Sequence, residues 1–366
     1  MRRYLPKNTE QLLHWYERYI SPLGLIAGFL SDNFFLLKRV DLLRTNLLLF
    51  TYLFVAAIGI TLINAIEAGK LRAKWATSSA PFIPVVMQFC FGGLFSGYLS
   101  LYSRSASFAV SWIFVIALAA LLLGNERFTR FYVRFAVQIG LYFFALFSFL
   151  EFFLPVVFHQ IGPWMFFAAG VASVAIIALF IFLLAQLAPQ RFRESRTHAF
   201  ASVGVIFIVF NMLYFSNAIP PLPLALKDAG VYHSVVHEPD GTYQLEGEAV
   251  PWYLSFLRYN TVFHQGADGR VYVYASVFAP SGLSTEVLHQ WQYYNSASKQ
   301  WVTTDTISYP ISGGRDGGYQ GYSYKGYLAP GPWRVNVITQ YGQLIGRISF
   351  TIVNASSTPP LVTTTY

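Results

Sequence analysis

The stretch "PGPWRVNVITQYGQLIGRISF", residues 330–350, alternates Trp333, Val335 and Val337 with Arg334 and Asn336. It turns at Tyr341-Gly342 and returns through Leu344, Ile348 and Phe350. A period of two with one apolar face is the pattern of a half-buried strand, so the segment predicts a water-facing β-hairpin. Upstream the pattern is different. The first 219 residues are dominated by long apolar runs without charge, the composition of a membrane domain.

Working outward from the hairpin, residues 230–353 carry strand patterns throughout. "DGTY" (240–243) and "ADGR" (267–270) place Asp-Gly where hairpin turns need positive φ. "RVYVYASVFA", "TEVLHQWQYYN", "QWVTTDTISY" and "YQGYSYKGYL" follow as further strands. At least seven short strands without a helix predict an all-β antiparallel sandwich over 230–353. The stretch 220–229 is expected to be a Pro-rich linker. The polar, Pro-containing 354–366 is expected to be a disordered tail.

The chain of 366 residues is 55% hydrophobic and only 11% charged, too apolar for one soluble globule. Its net charge of +8 is unevenly placed: residues 1–218 hold 17 Lys/Arg against 8 Asp/Glu, and residues 219–366 hold 8 against 9. The basic excess lies in loops of the apolar part, which orients a membrane protein and gives no nucleic-acid signature. The single cysteine, Cys90, excludes an intrachain disulfide, so the β-module must rest on its own core.

A span needs about 20 apolar residues. Runs meeting this occur at 45–66, 81–103, 105–125, 163–188 and 199–219, and at 135–157 with one interruption at Glu151. Residues 20–37, broken by Asp32, can span, re-enter or lie at the interface. Residues 1–19 hold Leu12, Leu13, Tyr16 and Tyr19 at helical spacing, as an amphipathic surface helix or a cap on the bundle would. The segments 67–80, 126–134 and 190–198 are basic and are read as cytoplasmic loops. Counting 20–37 as a crossing puts 13 cations inside against 4 outside. The expected architecture is therefore a transmembrane helical domain over 20–219 with seven spans, or six. Its N-terminus is cytoplasmic, and the β-sandwich lies outside the cytoplasmic membrane.

Three stretches carry a family resemblance: "LHQWQYYN" (288–295), "GGYQGYSYK" (317–325) and "PGPWRVNVITQYGQLIGRISFTI" (330–352). Together they resemble the bacterial domain-of-unknown-function family 2914, in which a His-x-Trp strand precedes an aromatic/Ser/Lys strand and a Pro-Gly-x-Trp-Arg-Val hairpin closes the domain. The matching residues include His289, Trp291, Tyr322, Ser323, Lys325, Trp333, Arg334, Gly342, Gly346 and Phe350. The resemblance implies an immunoglobulin-like accessory domain and brings no agreed activity with it.

Catalytic signatures are missing: the chain has no Gly-x-Ser-x-Gly elbow and no His-Glu-x-x-His. Ser323 and Lys325 have nothing in sequence to enforce contact. His233, His237, His264 and His289 are scattered along strands without a Cys or carboxylate cluster. No catalytic residue, metal site or cofactor is assigned. Glu151 is the one acid in a span, and an unpaired carboxylate at the bilayer centre costs roughly 2.5 kcal/mol or more. Counting from Arg134 at about 1.5 Å per residue puts it close to the outer interface, a structural placement. With Asn211 it forms the candidate intramembrane polar site.

Aromatic side chains are the one enrichment: 15 of 24 tyrosines lie between 232 and 366. Trp291 and Trp333 alternate with polar neighbours and read as core. Tyr319, Tyr322, Tyr324 and Tyr327 sit beside glycines and are the candidate binding residues, for a protein surface, a glycan or the lipid headgroups. The expected function is an envelope scaffold or receptor, anchored in the lipid bilayer, whose module binds a protein or cell-wall polymer. The alternative is a transporter or membrane enzyme with a pocket in the helices and the module as lid.

Overall fold

A computed structural model describes residues 39, 41–105, 108–125, 131–252, 259–266, 269–355 and 359–366. The expected helix over 1–19 and the segment 20–37 lie outside them. The described residues separate into a helical unit that ends at Ile219 and a β-rich unit that runs from Pro220 to Tyr366.

The helical unit contains six long helices: α1 (Leu43–Glu67), α2 (Ile83–Ser105), α3 (Phe108–Asn125), α4 (Phe135–Phe158), α5 (Pro163–Leu187) and α6 (Pro189–Phe215). A short helix, Lys74–Ser79, and a 3₁₀ turn, Ala80–Phe82, precede α2. Among the described residues five helices are long and apolar enough to cross a membrane, fewer than the seven expected. The expected span at 105–125 gives only a shorter apolar helix, Ser111–Asn125.

The stretch 190–198, expected as a loop, is the first part of α6. Pro189 stands at its first position, where a missing N–H costs nothing. Gln190 then donates to Glu194 one turn on, at 3.1 Å. The helices pack closely where side chains are small. A Cβ at Gly93 would stand 2.5 Å from the Tyr52 ring of α1.

The basic segments interlock at one end of this unit. Lys70 Nζ donates to the Gln186 carbonyl at 2.8 Å. Arg191 donates to the Val133 carbonyl and stands 3.7 Å from Glu67. These contacts bring the end of α1, the approach to α4, the end of α5 and the start of α6 together.

The β-rich unit has eleven strands among the described residues: β1 (Ala225–Tyr232), β2 (Ser234–His237), β3 (Tyr243–Glu248), β4 (Val262–Gln265), β5 (Arg270–Phe278), β6 (Ser284–Asn295), β7 (Gln300–Ser312), β8 (Tyr319–Gly326), β9 (Gly331–Thr339), β10 (Leu344–Asn354) and β11 (Leu361–Thr365). They form three sheets, ordered β1-β5-β8, β4-β10-β9-β6-β7 and β11-β3-β2. The opening hairpin is β9–β10, with Trp333 opposite Phe350 and Val335 opposite Ile348. Its turn uses Gly342 at φ 81°.

Three expectations are corrected here. The pairing is not antiparallel throughout, because β4 runs parallel to β10 from Val262↔Thr351 to Gln265↔Asn354. The tail is not wholly irregular, since Leu361–Thr365 is a strand on β3. Its run of Val and Thr has high β propensity, and the open edge of β3 supplies the partner. The Pro-rich linker is shorter than expected, because β1 begins at Ala225.

Alternation sorts the side chains of the sheet β1-β5-β8. Ala229, Val231, Val273, Ala275 and Ser323 point to one face, toward the five-stranded sheet, where Trp291 and Val335 are fully buried. The opposite parity carries Tyr232, Tyr272, Tyr274, Tyr322 and Tyr324. There Tyr232, Val235, Leu245 and Tyr274 form a second small core under the sheet β11-β3-β2.

Candidate functional site

Inside the main core the His-x-Trp strand meets the Ser strand. Trp291 Nε1 donates to Ser323 Oγ at 3.0 Å, and Ser323 Oγ lies 2.8 Å from His289 Nδ1. The Tyr309 hydroxyl stands 3.0 Å from His289 Nε2. Ser323 Oγ accepts from the indole and pairs with Nδ1, and the Tyr309 hydroxyl pairs with Nε2, so both ring nitrogens are engaged whichever of them carries the proton. Burial pushes His289 down to about 3 and the Tyr309 hydroxyl up, so both are neutral. The Tyr309 ring fits because residue 321 is glycine, where a Cβ would stand 2.4 Å from it. A fully buried Ser–His contact closed by an indole locks three strands together and presents no nucleophile to solvent. Lys325 turns elsewhere, to Asp305 at 2.7 Å and Thr304 at 3.1 Å.

The other histidines part company. Glu248, at the end of β3, accepts from His233 Nε2 (3.1 Å), His264 Nδ1 (2.9 Å) and the His264 backbone N–H (2.6 Å). Burial raises its pKa, but these hydrogen bonds outweigh burial and hold the carboxyl below its usual range. His237 instead lies against Tyr243, with ring centres 4.6 Å apart. Among the described residues no group of three or more His, Cys, Asp and Glu could hold a metal ion. Pattern reading missed the Glu248 cluster because His233, Glu248 and His264 come from three segments.

The four candidate tyrosines fall in three places. Tyr322 and Tyr324 share one face of β8 and are 37% and 56% exposed. Both rings neighbour Tyr272 of β5, at 6.2 Å and 5.2 Å, and Tyr322 also neighbours Tyr243 at 6.3 Å. The exposed pair is thus the outer edge of the small tyrosine-rich core and is held by it. Tyr319 has the opposite parity. It takes the Arg315 guanidinium over its ring at 5.4 Å and lines a cavity of about 500 Å³ with Thr285, Glu286 and Gln340. Tyr327 follows β8 at φ 52° and its ring covers Gly269.

In the helical unit Glu151 is buried and its Oε2 accepts from the Tyr102 hydroxyl at 2.7 Å. Asn211 donates to the Phe207 carbonyl of its own helix at 2.8 Å. No hydrogen bond joins Glu151 to Asn211 among the described residues. A cavity of about 470 Å³ lies elsewhere, lined by Arg134, Arg191, Glu194, Ser195 and His198 at the basic end. Polar residues of the helices pair with one another: Asn64 donates to Gln138 at 2.8 Å, as interhelical amides do.

The family match lies in the β-rich unit. Residues 284–352 match the family model described as "Protein of unknown function (DUF2914)". The match runs from β6 to β10 and contains His289, Trp291, Ser323, Trp333 and Arg334, so the buried lock lies within it. No curated protein matches the chain. Among solved structures, Pseudomonas fluorescens alkylpurine DNA glycosylase AlkC bound to DNA containing an abasic site analog aligns at 10% identity, covering 87% of this chain and 99% of that chain. Its TM-score of 0.22 is too low to carry any argument about fold or function.

Proposed function

We propose that this chain is a multi-pass protein of a bacterial-type cytoplasmic membrane whose β-sandwich module faces outward and binds an envelope ligand, a protein or cell-wall polymer. In this reading the five apolar spans and the shorter Ser111–Asn125 helix cross the bilayer. The interlocked basic segments at one end of the helical unit support that orientation. One observation carries the binding role: Tyr322 and Tyr324 stand exposed on one strand face, beside Tyr272. Rings braced by cross-strand ring neighbours offer a flat amphipathic surface at low entropic cost. The test is retention of the detergent-solubilised full chain on sedimented cell walls, with in-cell crosslinking to trap protein partners. Tyr322→Ala with Tyr324→Ala should abolish both signals. Undiminished retention and crosslinking in that variant would end the proposal.

A second reading, a transporter or membrane enzyme with the module as lid, is favoured by Glu151, buried against Tyr102 with no cation at hand among the described residues. It requires Glu151→Gln to abolish a measurable flux or turnover while the helices remain folded.

A further inference from the structure

The outer face of the five-stranded sheet carries a polar row that no reading above uses. Register places Arg347 of β10 opposite Asn336 of β9, and Asn336 opposite Gln290 of β6. One step along, Arg334 of β9 stands opposite Gln292 of β6, and Gln292 opposite Thr303 of β7. Hydrogen bonds link these side chains into a chain. Arg347 Nε donates to Asn336 Oδ1 at 2.7 Å, and Asn336 Nδ2 donates to Gln290 Oε1 at 3.1 Å and to Gln292 Oε1 at 3.2 Å. Arg334 Nε donates to the same Gln292 oxygen at 2.7 Å, and Gln292 Nε2 donates to Thr303 Oγ1 at 2.9 Å. The Arg334 guanidinium also lies over the Trp301 ring at 4.3 Å, and Trp301 packs against Tyr294 at 5.3 Å.

Each guanidinium is therefore aimed by its Nε, and one is braced by an indole face. Their Nη groups make no hydrogen bond, and no carboxylate forms an ion pair with either arginine, among the described residues. Holding two cations half-buried on neighbouring strands with only neutral amides as partners is unfavourable. Burial first, and Arg347 next, bring the pKa of Arg334 down to about 10. Structural arginines of a sheet surface ordinarily find an acid. This pair is pre-positioned, like-charged and open.

We propose that Arg334 and Arg347 form a binding site for a carboxylate-bearing sugar of an acidic glycan. The carboxylate would take the two open guanidinium forks, whose planar donors match its two oxygens. Gln290 and Thr303 supply an amide and hydroxyl floor for ring hydroxyls, and Trp301 with Tyr294 supplies an aromatic edge. Those flanking groups favour a polar ring over a lipid phosphate, which would need charge alone. This surface lies on the five-stranded sheet, and Tyr322 and Tyr324 lie on the sheet β1-β5-β8, so the two proposals stand or fall separately.

The test uses the full chain in nanodiscs of zwitterionic lipid at constant ionic strength, titrated with trigalacturonic acid, maltotriose or inorganic phosphate. Saturable binding of trigalacturonic acid is expected, with at least about ten-fold weaker binding of uncharged maltotriose and of phosphate. Arg334→Gln and Arg347→Gln should each weaken trigalacturonic acid about ten-fold or more. Arg347→Lys, which keeps the charge and loses the fork, should also weaken it while the unliganded protein still melts cooperatively. Lys299→Asn, which removes an exposed cation from the turn between β6 and β7, should bind as the parent does. Binding that favours phosphate, or that is equal in the parent, Arg334→Gln and Arg347→Lys, would overturn the proposal.

Discussion

Ser323 Oγ stands 2.8 Å from Nδ1 of His289, joining β8 to β6 through the interior of the module. Burial around that contact holds the imidazole neutral in the fold, with its pKa near 3 against about 6.5 when unfolded. As pH falls below 6.5 the unfolded chain takes up a proton that the folded chain refuses. The stability is therefore whole above pH 6.5 and is lost progressively down to about 3, at up to about 1.4 kcal/mol per pH unit. Denaturant unfolding of the module between pH 7 and 4 should show this slope, and His289→Gln should be shallower by about one proton. Parallel slopes for parent and variant would show that the histidine is not the titrating group.

Gly321 is the reason Tyr309 reaches that histidine. A Cβ there would stand 2.4 Å from the Tyr309 ring, and the ring is packed against β8, so it cannot simply swing away. Gly321→Ala should cost about 1–3 kcal/mol as an overpacked core. Changing the tyrosine as well, to Leu, should recover part of the loss, read as the interaction energy of a double-mutant cycle by denaturant melts. Additive costs would place the strain elsewhere.

Alternation within a strand was legible because the side-chain period is fixed at two. It put Trp333, Val335 and Val337 inward and set Arg334 and Asn336 on the other face. The same rule put Tyr322 and Tyr324 together. What alternation could not give was which strands lie side by side. The Arg347–Asn336–Gln292–Arg334 row, the Ser323–His289 contact and the Glu248 cluster each depend on register between segments remote in sequence. Tyr319 and Tyr327 looked equivalent to the Tyr322 pair because neighbouring glycines hid where β8 begins and ends. The parallel β4–β10 pair carries no local signature either, since a parallel partner has no tight turn to announce it. In the helical unit the apolar runs gave the helices. The break before α6 is one residue, Ala188, followed by Pro189, and charge alone made 190–198 look like a loop.

Trp333 and the tyrosine pair should separate core from surface. The indole is 5% exposed and donates to the Ala329 carbonyl at 2.8 Å, so Trp333→Ala should cost about 3–5 kcal/mol. Tyr322→Ala with Tyr324→Ala removes exposed rings that neighbour Tyr272 and Tyr243, and should cost no more than about 1–2 kcal/mol. Chemical melts of the two variants against the parent decide it. Equal losses would make the tyrosines core and remove the platform.

Residues 220–366 should fold without the helices. The unit contains the interior between the sheet β1-β5-β8 and the five-stranded sheet and the tyrosine-rich core under the sheet β11-β3-β2, and Cys90 lies outside it. The purified fragment should give β-type circular dichroism and one cooperative melt. A gradual melt, with dye-binding hydrophobic surface, would mean that the helical unit completes the fold.

Orientation can be read chemically, because the interlocked basic end and the module are predicted to lie on opposite sides of the membrane. Lys70, Arg134, Arg191, Arg193 and Arg196 concentrate near one end of the helical unit, and short-loop cations are retained on the cytoplasmic side. In a Cys90→Ser background, Ser298→Cys in the β6–β7 turn should react with an impermeant maleimide on intact cells. Thr197→Cys, near the start of α6, should react only after permeabilisation. Both positions are exposed, so a silent site reports the membrane and not burial. Labelling of Thr197→Cys on intact cells with Ser298→Cys protected would invert the topology. The module would then face the cytoplasm, where a cell-wall ligand could not reach it.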